Sequence, residues 1–563
     1  MRSAMCPASV MVRCMSLSSV VRASGRALST AAGRQQPRAL VTDTIDPDQF
    51  NSSSRKNFED VQRERTEQAN RSVLIGCPSK ISEKKFLKHL SRHGEVANHF
   101  FFDTYGTHAL VEFVNTESID SLLTSSKIPE NEDAHILPFK SRFLKVKSQE
   151  LQTEFVPCSP QSPISPATLL HKLCNAKDIE HQANIILQEC QLTEESIRIR
   201  YLVSSLVSDI ATAYFPKATL HPYGSSVNSF GKMGCDLDLF LNLESIKDGT
   251  GKDAGSFVTE YWMRQVSSSR VVQQKILSVI GECIDNFGPG CTDVQKILSA
   301  RCPLVRFQHQ STGLHCDLTA DNKIALRSSE LLYIYGNIDS RVRPLVFTVR
   351  YWAHVHGITS AVPGHWITNF SLTAMVLFFL QKRNPPVIPT LDQLKNLAGK
   401  KDKCIIKDND CTFVGDLKKI KPSQNTEPLD ILLLEFLEFY GSFDFSKNCI
   451  DIRKGVEKNK PESSPLYIQN PFEQSLNISK NVNKSQLERF VHVVQESSWT
   501  LQEQGAPSLE NRTWGLASIL AITETSTASN VKKKLASERL RNLLDSLKTN
   551  NNNARTEKQK AGR

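Results

Sequence analysis

The stretch His221–Leu243, HPYGSSVNSFGKMGCDLDLFLNL, joins a Gly-Ser-Ser turn to an apolar strand that contains two carboxylates. Side chains alternate along a strand, so Asp236 and Asp238 share one face and the leucines between and beyond them share the other. Two like charges on one face repel each other, and a divalent cation compensates them well. A Gly-Ser turn directly before the strand can offer backbone N–H groups and a hydroxyl to phosphate oxygens. The stretch therefore predicts metal ions and phosphates held side by side, as two-metal nucleotidyl transfer requires.

A third carboxylate is expected, because two divalent ions are poorly held by two acids. The candidate is Asp317. In the predicted strand Leu314–Thr319, apolar side chains alternate inward and leave Asp317 on the other face. If this strand lies beside the first, Asp317 joins Asp236 and Asp238 as a metal ligand and catalytic residue. A solvated or capping aspartate is the alternative.

The excess of positive charge is confined to the two ends of the chain. The 563 residues carry a net charge of +10, and their hydrophobic content of 39% is enough for several globular domains. Residues 1–42 contribute +6 and residues 531–563 contribute +7, which leaves −3 for the rest of the chain. Charge alone is thus a weak argument for RNA binding by the folded body, and the longest apolar run is too short to span a bilayer.

Residues 1–42 have six arginines, many serines and alanines, and no acid before Asp43. This composition predicts a mitochondrial presequence and location in the matrix; a disordered basic arm is the alternative. The fourteen cysteines show no zinc-ligand spacing, so we expect buried or free thiols.

Residues 71–148 predict a β-α-β-β-α-β module similar to an RNA-recognition motif. Such modules stack bases on aromatic residues of the central strands. The matching positions here are Leu74, His108 and Leu110, so we expect a protein-contact or dimerisation module rather than a base reader. An exposed Phe100–Phe102 segment favours a homodimer through this module; RNA binding by the module is the alternative.

The predicted fold class is α+β: a nucleotidyltransferase palm with a mixed sheet and helices, a mostly helical central domain, and the RRM-like βαββαβ module before them. The predicted domains are the presequence (1–42), a charged polar segment (43–70), the RRM-like module (71–148), a linker (149–166), the central nucleotide-recognition domain (167–195 and 331–480), the catalytic palm (196–330) and a C-terminal extension with a basic disordered tail (481–563).

The ordered set of motifs resembles the poly(A)/poly(U) polymerase branch of the DNA-polymerase-β-like nucleotidyltransferases. The set consists of Gly-Ser-Ser, D-x-D ten residues later, a third Asp in a C-D-L strand, and an R-V-R-P…W-A helix. The resemblance implies that Asp236 and Asp238 bridge two Mg²⁺ ions (Mn²⁺ is possible) and that Asp317 completes the site that activates an RNA 3′-hydroxyl. It also implies that Gly224 and Ser225 hold the triphosphate.

The helix that begins near Pro344 has Arg343, Arg350 and His354 on one face. Family members carry lysines at the last two positions, where they contact the triphosphate. Arginine can replace lysine there, whereas histidine is only a weak cation at pH 7. The resemblance therefore selects Arg350, and a solvated basic face is the alternative.

The remaining nucleotide-binding candidates also come from the resemblance. Phe370 occupies the position of a base-stacking aromatic, with burial in the core as the alternative, and Ser371 occupies a phosphate-contacting position. Ser328 stands near the expected ribose. Glu473 lies in the base-recognition loop and could accept from an adenine amino group or cap the loop. Uridylyl-transferring relatives carry His where this chain has Leu476, which favours adenine.

The predicted function is template-independent transfer of AMP from ATP to the 3′ ends of mitochondrial RNA. The predicted partners are ATP, RNA 3′ ends and a second copy of the chain, and no membrane. Uridylyl or mixed-nucleotide transfer is one alternative. A non-catalytic RNA- or protein-binding scaffold on the same fold is the other.

Overall fold

The computed structural model describes residues 55–503 and 513–521, apart from 79–80, 129–139, 148–157, 159–161, 216–217, 244–263, 265, 267, 321 and 363. The predicted presequence, most of the predicted linker and the predicted basic tail lie outside the described residues. The α+β fold class is confirmed. Within the described part, every helix is too short or too polar to span a lipid bilayer.

The N-terminal module follows one preceding helix and has the predicted order of elements. The strands form a sheet of order β2-β3-β1-β4, in which β4 runs parallel to β1. The elements are α1 (Phe58–Asn70), β1 (Ser72–Gly76), α2 (Glu83–Leu90), β2 (Val96–Asp103), β3 (Thr107–Phe113), α3 (Glu117–Ser125) and β4 (Phe143–Lys145).

The expectation of an exposed Phe100–Phe102 segment is wrong. Phe102 is fully buried and packs, together with Leu74 and Leu110, into the hydrophobic core that the next sheet forms with its helices. Phe101 points to the other side of the sheet and is buried against Phe86. The sheet face on which a base-reading module would stack bases is therefore covered by protein.

The palm sheet has the order β5-β6-β9-β8-β7, with β6 and β9 parallel and the other pairs antiparallel. Its hairpin turn at 311–313 is as predicted, and Gly313 adopts φ +69° there. Strand β7 has no clear apolar alternation and was not predicted. The elements are α4 (Pro166–Cys174), α5 (Ile179–Cys190), α6 (Glu194–Tyr214), β5 (Thr219–Tyr223), β6 (Leu237–Asn242), α7 (Ser269–Phe287), β7 (Cys291–Ile297), β8 (Leu304–His309) and β9 (Leu314–Thr319).

The remaining elements are mainly helices around the largest hydrophobic core. Residues 371–381 of α10 are all buried, as expected of a helix that is apolar on every side. The elements are α8 (Lys323–Ile338), α9 (Val342–Val355), α10 (Asn369–Lys382), α11 (Leu391–Asn396), β10 (Ile405–Ile406), β11 (Asn409–Asp410), α12 (Leu429–Ser442), β12 (Asn448–Asp451), β13 (Val456–Asn459), α13 (Lys484–Glu503) and α14 (Leu516–Leu520).

Candidate active site

The palm sheet brings two of the three predicted catalytic carboxylates into register. Strands β6 and β9 are parallel neighbours, and Asp238 pairs with Asp317 across them. Asp236 directly precedes β6 and is exposed. Directly paired residues project from the same face of a sheet, so Asp238 and Asp317 share a face.

The surroundings of Asp238 favour the binding of a cation. Burial, together with the charges of Asp317 and Asp236, raises the pKa of its carboxyl to about 7. A carboxylate in this position needs a cation to stay ionised at neutral pH. The oxygen donors of the three aspartates are the ligands that Mg²⁺ and Mn²⁺ prefer, so the residues fit divalent ions.

Arg306, which the sequence analysis did not select, holds the carboxylate of Asp317. Its Nε lies 2.7 Å from Oδ1 and its Nη2 lies 2.6 Å from Oδ2. Across the described residues, no three His, Cys, Asp or Glu side chains stand close enough together to hold a metal ion as they are. The signal for Arg306 was present in the hairpin, because a turn at 311–313 sets Arg306 opposite Asp317.

The Gly-Ser-Ser turn lies directly against Asp238. Residues Gly224–Ser226 form a single 3-10 turn, and Gly224 adopts φ +66°. A Cβ on Gly224 would lie 2.6 Å from Oδ2 of Asp238, so an added side chain would displace this oxygen, and the left-handed conformation itself favours glycine. The N–H of Gly224 donates to Oγ of Ser329 at 2.8 Å, which anchors the turn to α8.

Arg200 fastens this turn to the loop that carries Asp236. The Arg200 side chain is fully buried in α6. It donates to Oγ of Ser226 at 3.1 Å, to the carbonyl of Cys235 at 2.7 Å and to the carbonyl of Asp236 at 3.1 Å. The periodicity of α6 gave no sign of this role, because the contacted groups are distant in sequence.

A pocket of ≈ 620 Å³, here called the main pocket, opens beside the aspartates. Its volume is typical of small-molecule sites. The predicted residues that line it are Gly224, Ser225, Asp236, Asp238, Ser328, Arg350, Phe370 and Glu473. Asp317 lies beside Asp238 on the neighbouring strand.

Arg350, Lys232 and His354 supply the basic groups of the main pocket. Arg350 donates to the carbonyl of Phe230 at 2.6 Å, and burial lowers its pKa to about 10, which leaves it charged at neutral pH. Burial and then the charge of Lys232 lower the pKa of His354, so that ring is neutral at pH 7. Lys232 was not among the sequence candidates, although it stands four residues before Asp236.

Phe370 is 36% exposed and lines the main pocket, so its ring is available to a bound base. Ser371 is not placed there. Its side chain is fully buried, its N–H donates to Oγ1 of Thr368 at 3.0 Å, and the two hydroxyls are 2.9 Å apart. Thr368 is the N-cap of α10, so Ser371 is used in capping that helix, whereas Asn369 and Thr373 line the pocket.

Ser328 also lines the main pocket, with its hydroxyl donating to the carbonyl of Ile324 at 2.9 Å. The recognition loop is held by Asn470, whose Oδ1 accepts from the N–H groups of Phe472 and Glu473 at 2.9 and 3.0 Å. Glu473 reaches the main pocket, whereas Leu476 lines a smaller cavity next to it.

Three family models match the chain. Residues 179–337 match "Poly(A) RNA polymerase, mitochondrial-like, central palm domain", residues 57–127 match the RL domain, and residues 428–476 match "Cid1 family poly A polymerase".

The chain is also similar to individual proteins over most of its length. It is 56% identical to the human protein "Poly(A) RNA polymerase, mitochondrial" over 505 residues, which cover 88% of this chain and 87% of the human one. The crystal structure of mtPAP in complex with ATPγS is 55% identical, with a TM-score of 0.78, and covers 83% of this chain and 99% of its own. The structure of mtPAP in complex with UTP is 56% identical, with a TM-score of 0.77 and the same coverage.

Proposed function

Because the chain belongs to the mitochondrial poly(A) RNA polymerase family and is thus a mitochondrial poly(A) polymerase, we propose that it adds AMP from ATP to the 3′ ends of mitochondrial RNA by two-metal nucleotidyl transfer. The register of Asp238 beside Asp317, with Asp236 directly before β6, carries this proposal. No template is needed for such addition.

Asp236, Asp238 and Asp317 would hold the divalent ions, Mg²⁺ or Mn²⁺. When bound, such ions lower the pKa of the attacking hydroxyl and neutralise the charge of the phosphates. Arg306 orients the carboxylate of Asp317, since its guanidinium contacts both oxygens. Gly224 lets the backbone approach Asp238 closely, which brings the phosphates near the aspartates.

Protein groups that line the main pocket would fix the position of the triphosphate. The side chain of Ser225 lines the pocket next to Gly224 and can donate to a phosphate oxygen, and Arg350 and Lys232 supply positive charge. Ser328, which also lines the pocket, would contact the ribose. The ring of Phe370 can stack on the base, a contact worth about 1–3 kcal/mol that tolerates any base.

Adenine selection rests on Glu473, the recognition-loop acid that lines the main pocket. A carboxylate accepts from the amino group of adenine and cannot accept from the carbonyl of uracil at the same place. The crystal structure of mtPAP in complex with UTP shows that this relative also binds uridine nucleotide. Uridylyl or mixed-nucleotide transfer is therefore the second candidate.

The deciding experiment is extension of a labelled oligo(A) primer with ATP, UTP, CTP or GTP offered separately, in Mg²⁺ and in Mn²⁺. We expect long extension with ATP alone. Equal use of UTP would overturn adenine selection. If an Asp236→Ala, Asp238→Ala double variant still extends the primer with ATP, the assignment of the aspartates is wrong.

We also propose a homodimer through the N-terminal module. Strand β2 is at the edge of its sheet, and its exposed residues Ala97 and Asn98 leave the first half of that edge accessible. Light scattering on an Ala97→Lys variant should give half the mass of the parent protein. An unchanged mass would place the interface elsewhere.

A further inference from the structure

The β10–β11 hairpin brings two cysteines directly opposite each other. Its antiparallel register pairs Ile405 with Asp410. The next pair outward from the turn is therefore Cys404 with Cys411, and the N–H of Cys411 donates to the carbonyl of Cys404 at 2.9 Å. Both cysteines are free thiols. Directly opposed residues of an antiparallel pair project from the same face, so the two side chains are neighbours.

The two thiols pack against the same hydrophobic core. Cys411 is fully buried in this core, whereas Cys404 is only partly buried and packs at its edge. Burial, together with the charge of Cys404, raises the pKa of the Cys411 thiol to about 11. Cys404 is therefore the thiol that a reagent from solvent reaches first, and Cys411 is the sheltered thiol beside it.

The backbone geometry of this pair suits a disulfide that is easily reduced. The Cα atoms of a hydrogen-bonded antiparallel pair are about 5.5 Å apart, inside the range of roughly 4.4–6.8 Å that disulfides span. The Cβ atoms of such pairs are about 5.5 Å apart, whereas a disulfide needs about 3.8 Å. The hairpin backbone must therefore shift when the bond closes. Strained disulfides are more readily reduced than structural ones.

The hairpin is joined to the recognition loop (residues 470–477) by a buried arginine. Nη1 of Arg453 donates to the carbonyl of Asp410 at 3.2 Å and to the carbonyl of Pro471 at 2.9 Å. Asp410 directly precedes Cys411, so a shift of Cys411 changes a contact that holds the loop. Through this loop the shift reaches the main pocket, which Glu473 lines.

Stacked rings form a second connection. The ring of Phe413, two residues after Cys411, stacks on the ring of Phe472 with the centroids 6.0 Å apart. The guanidinium of Arg327 lies 4.0 Å from the centre of the Phe413 ring and donates to the carbonyl of Cys411 at 3.1 Å. Arg327 directly precedes Ser328, which lines the main pocket. A shift of Cys411 therefore acts on both the recognition loop and α8.

We propose that Cys404 and Cys411 are a site of reversible disulfide formation that weakens ATP binding when it is oxidised. The thiolate of Cys404 attacks one sulfur of a small disulfide such as glutathione disulfide, and one glutathione thiolate leaves. Cys411 then loses its proton and attacks the Cys404 sulfur of this mixed disulfide, which releases the second glutathione. The two cysteines are oxidised, and one glutathione disulfide is reduced to two glutathione molecules.

The chemical test uses the full-length protein, equilibrated in buffers of increasing ratio of glutathione disulfide to glutathione, then alkylated and digested with trypsin. Trypsin cuts after Lys407 and so separates the peptides 404–407 and 408–418. We expect mass spectrometry to show these peptides linked, with the link lost in dithiothreitol and absent from Cys404→Ser. Two alkylated thiols at every ratio, or a glutathione adduct that stays on Cys404, would overturn the proposal.

The functional test is the KM for ATP of the reduced and the oxidised protein. Oxidation should raise this KM about fivefold, and dithiothreitol should restore it. Cys404→Ser should have the same KM in both states. Cys174→Ser is the matched control, because it removes a partly buried thiol at the end of α4, and it should respond like the parent.

An unchanged KM with the disulfide formed would overturn the effect on ATP binding. The effect on ATP rests on the proposed function, whereas the disulfide is detected without catalysis. A parent protein that transfers no AMP would therefore refute the proposed function, while the linked peptides would still support the disulfide.

Discussion

Arg306 donates to both carboxylate oxygens of Asp317, at 2.7 and 2.6 Å, from the position directly opposite on the neighbouring antiparallel strand. The guanidinium is about half exposed, whereas the Asp317 side chain is 17% exposed. A fork-shaped pair of this kind both orients the carboxylate and occupies the oxygens that a metal ion would use. Arg306 is thus placed to set the metal affinity of the site.

Replacing Arg306 by glutamine should tighten the binding of Mn²⁺ in the absence of nucleotide, by about threefold to tenfold, because the competing cation is removed. Free Mn²⁺ measured by electron paramagnetic resonance reports this affinity directly. Arg63→Gln, which breaks an exposed pair with Asp60, is the control and should leave the affinity unchanged. Weaker Mn²⁺ binding in Arg306→Gln would mean that the arginine serves only to orient Asp317.

Gly224→Ala should reduce both stability and activity. Its φ of +66° costs an alanine about 1–2 kcal/mol, and the added methyl would displace Oδ2 of Asp238. Thermal unfolding and primer extension measure the two effects. Gly441→Ala, in α12, meets only the flexible side chain of Gln495 at 3.1 Å among its close neighbours and should leave both nearly unchanged. Full activity in Gly224→Ala would show that Asp238 has more room than the structure gives it.

Lys232→Gln should raise the KM for ATP about tenfold, because it removes a cation from the lining of the main pocket, where the triphosphate is proposed to bind. His354→Gln is the matched comparison on the same wall and should change KM little, since burial and Lys232 keep its ring neutral at pH 7. Steady-state kinetics at a saturating concentration of primer measure the KM for ATP of both variants. A larger effect from His354→Gln would reverse the assignment of the two residues.

Stability should fall between pH 7 and pH 5 in a way that depends on His309. This ring is buried between the palm and Phe143 of the N-terminal module, and burial lowers its pKa to about 4. An unfolded histidine binds a proton near pH 6.5 while the folded one stays neutral, so the unfolded state binds more protons as the pH falls. The free energy of unfolding should therefore be about 2 kcal/mol lower at pH 5 than at pH 7.

Urea unfolding of the parent protein and of His309→Gln at both pH values measures this effect. The parent should lose about 2 kcal/mol more than the variant over this interval. Equal losses would show that protonation of His309 does not contribute to the pH dependence.

Much of the site was predictable because it depends on short-range patterns. Alternation placed Asp236, Asp238 and Asp317 on one face of two strands, and the structure sets β6 beside β9 as that interpretation requires. The element order of the N-terminal module also followed from local periodicity. These features depend on a period of two or 3.6 residues, which a single segment already displays.

The assembled structure decided which side chains share a space. Arg200 became a site residue only when distant segments met, and Ser371 does not line the main pocket because it takes part in capping α10. The burial of Phe102 likewise depends on a partner sheet more than a hundred residues later in the chain. The sequence determined the carboxylates and the strands that carry them, since spacing encodes the face of an element. The tertiary structure alone decided that Arg200 joins the Gly-Ser-Ser turn to the loop that carries Asp236, because no local period encodes contacts between remote segments.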